Sequence, residues 1–167
     1  MGTAVADSIG LPYEGISPQR ALKLFKPPLK QRFVFGRGMI SDDTEHACMV
    51  AQALVQSGFQ QEVFLKCFAR RLKWWMVGFP AGVGKATAIA GIRLLLGANP
   101  HRSGVFSAGN GPAMRAAIFG AAIDNTALFV EFVRASSRIT HTDPRAESSA
   151  IAVAMATRFK PPAQKAC

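Results

Sequence analysis

Apolar residues along this chain recur with helical spacing almost throughout. Ser17-Pro18 starts a short helix, with Ser as cap and Pro in its first turn, and Pro27-Pro28 stops it. A second helix is marked by Ala47, Val50, Ala51 and Leu54 on one face, opens on the capping-box-like pattern Asp42-x-x-Glu45 and ends at Gly58. The pattern then predicts a helix over 61–77 burying Phe64, Phe68, Leu72, Trp75 and Met76. One over 85–96 follows, with Ile89, Ile92 and Leu96 inward, and a small-residue helix over 113–123. Two more are predicted at 127–137 and 144–157. Phe33-Val34-Phe35 reads as a short extended piece or a loop on the core, and 158–167, with Pro161-Pro162, as a frayed tail. No strand alternation or internal repeat interrupts the series, so the class is all-α.

The 167 residues, 49% hydrophobic, bound the chain to one domain or part of one. Stretches without charge, such as 74–84, are short and broken by Gly and Pro, well below the roughly 20 apolar residues that span a bilayer. No basic segment precedes an apolar run at the amino terminus. A cytoplasmic chain is expected. Cys48, Cys67 and Cys167 are odd in number, scattered and without a CxxC pair, so they read as reduced thiols, Cys48 and Cys67 as small buried hydrophobes on helix faces. The net charge of +10 raises the question of nucleic acid, but the Lys and Arg residues are spread and no aromatic-interleaved basic stripe accompanies them.

Candidate chemistry concentrates in four segments. Ser41-Asp42-Asp43-Thr44-Glu45 crowds hard oxygen donors at a helix start, a set suited to Mg²⁺ or Mn²⁺ rather than zinc. On its own such a pair of acids is equally a helix cap favoured by the macrodipole. Upstream lies Asp7-Ser8-Ile9-Gly10-Leu11-Pro12-Tyr13-Glu14-Gly15. Downstream lie Ser107-Ala108-Gly109-Asn110-Gly111-Pro112-Ala113-Met114-Arg115 and Thr140-His141-Thr142-Asp143-Pro144. Gly109 and Gly111 permit tight turns that turn backbone N–H groups toward a phosphate. His141 alone reads as a capping or core histidine, and His46 as a helix-surface residue. Gly82-Val83-Gly84-Lys85-Ala86 imitates a nucleotide-binding P-loop, but Phe79 and Ala86 occupy positions that need Gly and Ser or Thr, so that reading is rejected.

In this order the four segments resemble the ADP-ribosylglycohydrolase family, which includes the dinitrogenase reductase-activating glycohydrolases, over nearly the whole chain. The resemblance implies a compact, all-α, orthogonal multi-helix bundle. It implies that Ser41, Asp42 and Asp43 are metal ligands for Mg²⁺ or Mn²⁺ in a two-metal centre, and that Glu14 is the catalytic residue that positions or activates water. Asp7 is then a residue that holds the loop from behind. Ser107, Gly109, Asn110, Met114 and His141 become ligand-binding residues for the diphosphate and ribose of ADP-ribose. Substrates implied are an ADP-ribosylated protein or a related small ADP-ribosyl compound. The family's later Asp-x-Asp-Thr/Ser metal motif has no counterpart, and no acid follows Glu147. The chain is therefore expected to be the amino-terminal part of the family domain, with exposed apolar faces open to association. A non-catalytic ADP-ribose binder or structural relative is the alternative to a hydrolase. A basic nucleic-acid binder comes third, resting on charge alone.

Overall fold

In the computed structural model, which describes residues 1–159 with positions 34 and 81 excepted, every regular element is helical; one isolated parallel bridge joins Val105 to His141. The helices are α1 (Gly2–Gly10), α2 (Pro18–Leu24), α3 (Asp42–Ser57), α4 (Gln61–Val77), α5 (Lys85–Leu95), α6 (Gly111–Met114), α7 (Ala117–Ala122), α8 (Thr126–Thr140) and α9 (Pro144–Arg158). The all-α expectation holds. The expected tail lies outside the described residues from position 160 onward, and so do Cys167 and the central residue of the 33–35 segment. Among the described residues no helix is long and apolar enough to cross a membrane.

The core forms where α3, α4, α8 and α9 meet. The Phe64 ring on α4 lies 5.3 Å from Phe132 on α8 and 5.7 Å from Phe119 on α7, both edge-on, the arrangement that ring quadrupoles favour. Leu54, Leu72, Phe68, Phe129 and Ile139 complete it without solvent contact, each such side chain contributing about 1.5–3 kcal/mol of burial free energy. Small residues govern the far side. A Cβ added at Gly120 of α7 would lie within bonding range of the Ala154 carbonyl of α9, so these two helices approach backbone to backbone.

Several sequence expectations need correction. The helix expected over 113–123 is two pieces, α6 and α7, because the backbone turns at Arg115 and Ala116 to bring Arg115 inside. On α5 the buried face is Ala86, Thr87, Ala90, Gly91 and Leu94; Ile92 and Leu96 point outward, since small residues let α5 sit close to its neighbours. Trp75 and Met76 are half-buried rather than enclosed, and Cys48 is exposed where a buried thiol was expected. The Asp42-x-x-Glu45 capping box does not form. The cap is Ser41, whose Oγ accepts the Asp43 N–H, while Glu45 takes the Trp75 indole N–H at 2.6 Å. A helix not anticipated, α1, occupies the opening segment.

Candidate functional site

The start of α3 is held by a residue far from it in sequence. Asp7, on α1 and nearly buried, accepts the Ser41 N–H at 2.8 Å, the Ser41 hydroxyl at 2.7 Å and the Thr44 N–H at 3.2 Å, together with the Thr44 hydroxyl. One carboxylate thereby satisfies free N–H groups of a helix start that no intrahelical carbonyl can reach. Burial alone would push the Asp7 carboxyl up, yet the bonds from Thr44 and Ser41 outweigh it and hold the group below its ordinary range. Asp7 is thus a positioning residue, and the next two acids face outward.

Those acids meet a third. From α1 the chain passes through a 3₁₀ turn, Leu11–Tyr13, and Glu14 leaves it in extended conformation. Glu14, Asp42 and Asp43 all line one cleft of about 340 Å³. Burial first, then the charges of Asp43 and Glu14, push the Asp42 carboxyl up to about 6. Glu14 is raised by burial and by Asp43 and Asp7, and Asp43 by burial and Asp7. Glu14, Asp42 and Asp43 concentrate carboxylates on this side of the cleft.

The other side of the cleft comes from the connections around α6 and α8. Ser103 Oγ donates to the Ile139 carbonyl at 2.8 Å, and Val105 exchanges backbone hydrogen bonds with Thr140 and Thr142. This fixes the loop 103–111 along the end of α8, where His141 leaves the helix. Asp143 then caps α9 through the Arg145 N–H at 2.9 Å, so the Thr140–Pro144 segment turns the chain from α8 into α9. A Cβ at Gly111 would lie 2.7 Å from His141 Cε1, and one at Gly109 3.0 Å from Nε2. Close approach to the imidazole therefore explains both glycines; neither takes the left-handed conformation that a glycine-only turn would require.

Of the sequence-predicted site residues, Glu14, Asp42, Asp43, Ser107, Gly109, Asn110, Met114 and His141 line this single cleft. Ser41 lines an adjoining hollow together with Glu14, Asp42 and Glu45, its hydroxyl already donated to Asp7. Three features escaped sequence reading. Gly82, Gly84, Lys85 and Thr87 also line the cleft: the segment fails as a P-loop but is near the site, and its Gly-x-Gly-Lys composition was the available signal. His46 is fully buried instead of on the surface, its ring edge-on to Trp75 at 4.5 Å. Arg115, also fully buried, braces the wall from behind.

The donor set fits a hard dication in kind, since three carboxylates, each raised by burial and by neighbouring acids, share the cleft with Lys85 as its cationic lining residue. It is not a closed cage: among the described residues no cluster of three or more His, Cys, Asp or Glu is placed to hold an ion.

A protein of Archaeoglobus fulgidus, named only as uncharacterized, is 32% identical over 162 residues, covering 93% of this chain and 52% of its own length. The chain thus spans about half the length of that curated relative. The family model for ADP-ribosylglycohydrolase matches residues 1–159, nearly all of the chain, and the chain belongs to the ADP-ribosylglycohydrolase family.

Proposed function

We propose that the cleft binds ADP-ribose and that the protein is a metal-dependent hydrolase removing ADP-ribose from a modified protein or a related small ADP-ribosyl compound. The observation that carries this reading is the convergence of four separated segments, from Glu14 to His141, on one cleft in a chain of this family. Asp42 and Asp43, with Ser41 beside them, would hold Mg²⁺ or Mn²⁺. Such an ion supplies orientation of ribose hydroxyls and a lowered pKa for water. Hydrolysis replaces the bond from the anomeric carbon to its leaving group with a bond to a water oxygen. The leaving group departs with a proton, and the water must lose one. Glu14, its carboxyl raised by burial and by Asp43 and so made a stronger base, would accept that proton. Ser107, Gly109, Asn110, Met114 and His141 would hold the diphosphate and ribose, with Lys85 as a cation lining the same cleft.

A second reading has its own support. The three carboxylates do not close around one point, which favours a protein that binds ADP-ribose without cleaving it. One assay separates the two: release of free ADP-ribose from an ADP-ribosylated protein, with Mn²⁺, with Mg²⁺ and with chelator. The hydrolase reading requires dication-dependent release that Asp42→Asn abolishes. Binding of ADP-ribose with no release under any condition supports the second reading and ends the first.

A further inference from the structure

Behind the cleft wall sits a buried cation whose described partners are all neutral. Arg115 Nε donates to Ser136 Oγ at 3.0 Å, and the two terminal nitrogens donate to the Gly111 carbonyl at 3.1 Å, the Ser136 carbonyl at 2.9 Å and Thr140 Oγ1 at 2.7 Å. The guanidinium also faces His46 Nδ1 at 3.3 Å and lies 5.1 Å over the Phe68 ring. Burial brings it down to about 9, so it remains charged at neutral pH. A guanidinium is donor only, which settles the direction of each of these bonds.

That direction propagates to the cleft. With Thr140 Oγ1 accepting from Arg115, the Thr140 hydroxyl proton needs an acceptor of its own. Two are within reach. The Ser137 carbonyl is 3.5 Å away and already takes the His141 N–H at 2.8 Å; His141 Nδ1 is 2.9 Å away. The shorter, unoccupied acceptor wins. The reverse arrangement, with an imidazole N–H donating to the second lone pair of Oγ1, would leave the hydroxyl proton only the long, shared carbonyl.

We propose that Arg115, acting through Thr140, fixes His141 in the tautomer protonated at Nε2, so that the imidazole meets the cleft as a hydrogen-bond donor and selects a ligand presenting an unprotonated oxygen there. Nε2 is the ring nitrogen on the Gly109 side, and His141 lines the cleft. Burial, then the Arg115 charge, bring the His141 pKa down to about 4, so the ring is neutral and its tautomer decides its polarity. Arg115 and Thr140 are positioning residues that touch no ligand. The choice of ligand oxygen, a phosphoryl oxygen of ADP-ribose, rests on the function proposed above; the tautomer does not.

The test is nitrogen-15 NMR of the 167-residue chain without ligand, with the His141 signals assigned through His141→Asn. The expected result is an Nε2–H form in roughly tenfold or greater excess. Thr140→Val should erase that excess while Thr140→Ser restores it, a rescue that general loosening of the fold would not produce. An Nδ1–H form or an even mixture in the unsubstituted chain overturns the proposal, as does an unchanged excess in Thr140→Val. Titration with ADP-ribose then separates the two claims. Binding that Thr140→Val weakens about tenfold, equivalent to about 1.4 kcal/mol, supports both. An Nε2–H signature with no ADP-ribose binding leaves the tautomer lock in place and removes the ligand assignment.

Discussion

At the scale of single residues, the site depends on groups that do no chemistry. Asp7 gathers four hydrogen bonds from Ser41 and Thr44 and so sets the direction in which Asp42 and Asp43 leave α3. Asp7→Asn keeps the shape but trades an ionised acceptor for an amide, half of which can only donate. Hydrogen bonds to charged groups contribute about 1.5–3 kcal/mol each, so denaturant melts should show a loss of at least about 2 kcal/mol. Equal stability would mean that α1 does not hold the start of α3. Gly111 works on the opposite wall. Gly111→Ala places a methyl 2.7 Å from His141 Cε1, which must displace the imidazole. We expect ADP-ribose binding to weaken about tenfold with a much smaller change in melting temperature, as calorimetry and thermal denaturation would read it. Much of this was legible in sequence. Asp42, Asp43, Glu14, the Ser107 loop and His141 were identifiable because their motifs are local strings. Arg115 and His46 were not, because burial of a charge or an imidazole depends on which helices close over it. The alternation of small and large residues around them does not specify that.

At the scale of elements, periodicity found α3, α4, α8 and α9 to within a few residues, since each carries an apolar face and three of them a capping residue: Ser41, Asn125 and Asp143 accept an N–H of the helix they begin, while α4 starts at Gln60 without a side-chain cap. It failed where small residues replace large ones. α1, with Gly2, Thr3, Ser8 and Gly10, lacks helix propensity and is helical because Asp7 anchors it to α3. The break between α6 and α7 follows from Arg115, whose burial among polar groups of α8 takes precedence over continuation of an Ala-rich run. Close packing of α7 on α9 gives a prediction at this scale. Gly120→Leu drives a side chain into the Ala154 backbone, which cannot retreat as a flexible side chain can. Overpacking costs about 1–3 kcal/mol even where side chains can move, so the lower part of that range is the minimum loss expected in a thermal melt. Retention of full stability would show that α7 and α9 stand further apart than described.

At the scale of the molecule, two properties follow. Phe79, Leu96, Val55, Phe106 and Trp74 are each more than 70% exposed, so the chain should bind a hydrophobic dye and self-associate in light scattering; a monodisperse monomer that binds no dye would contradict this. Stability should also fall in acid. An unfolded histidine titrates near 6.5, whereas His141 in the fold titrates at about 4 and buried His46 also lies well below 6.5. Between those values the unfolded chain binds protons that the folded chain refuses, so the contribution is whole above about 6.5 and is lost as pH drops toward 4, on the order of 3 kcal/mol for His141. Asp42, raised to about 6, has the opposite sign over its own window, so Asp42→Asn should make the acid loss steeper and His141→Gln should flatten it. In the function proposed above, the carboxylates of α3 and the glycine loop beside His141 form one cleft for ADP-ribose. Calorimetric titration of the 167-residue chain with ADP-ribose, with and without Mn²⁺, is the decisive measurement. Saturable one-to-one binding is expected, tightened by Mn²⁺, in which Asp43→Asn removes the metal effect and Gly111→Ala weakens binding in either condition. No binding, or binding indifferent to both substitutions, would contradict it.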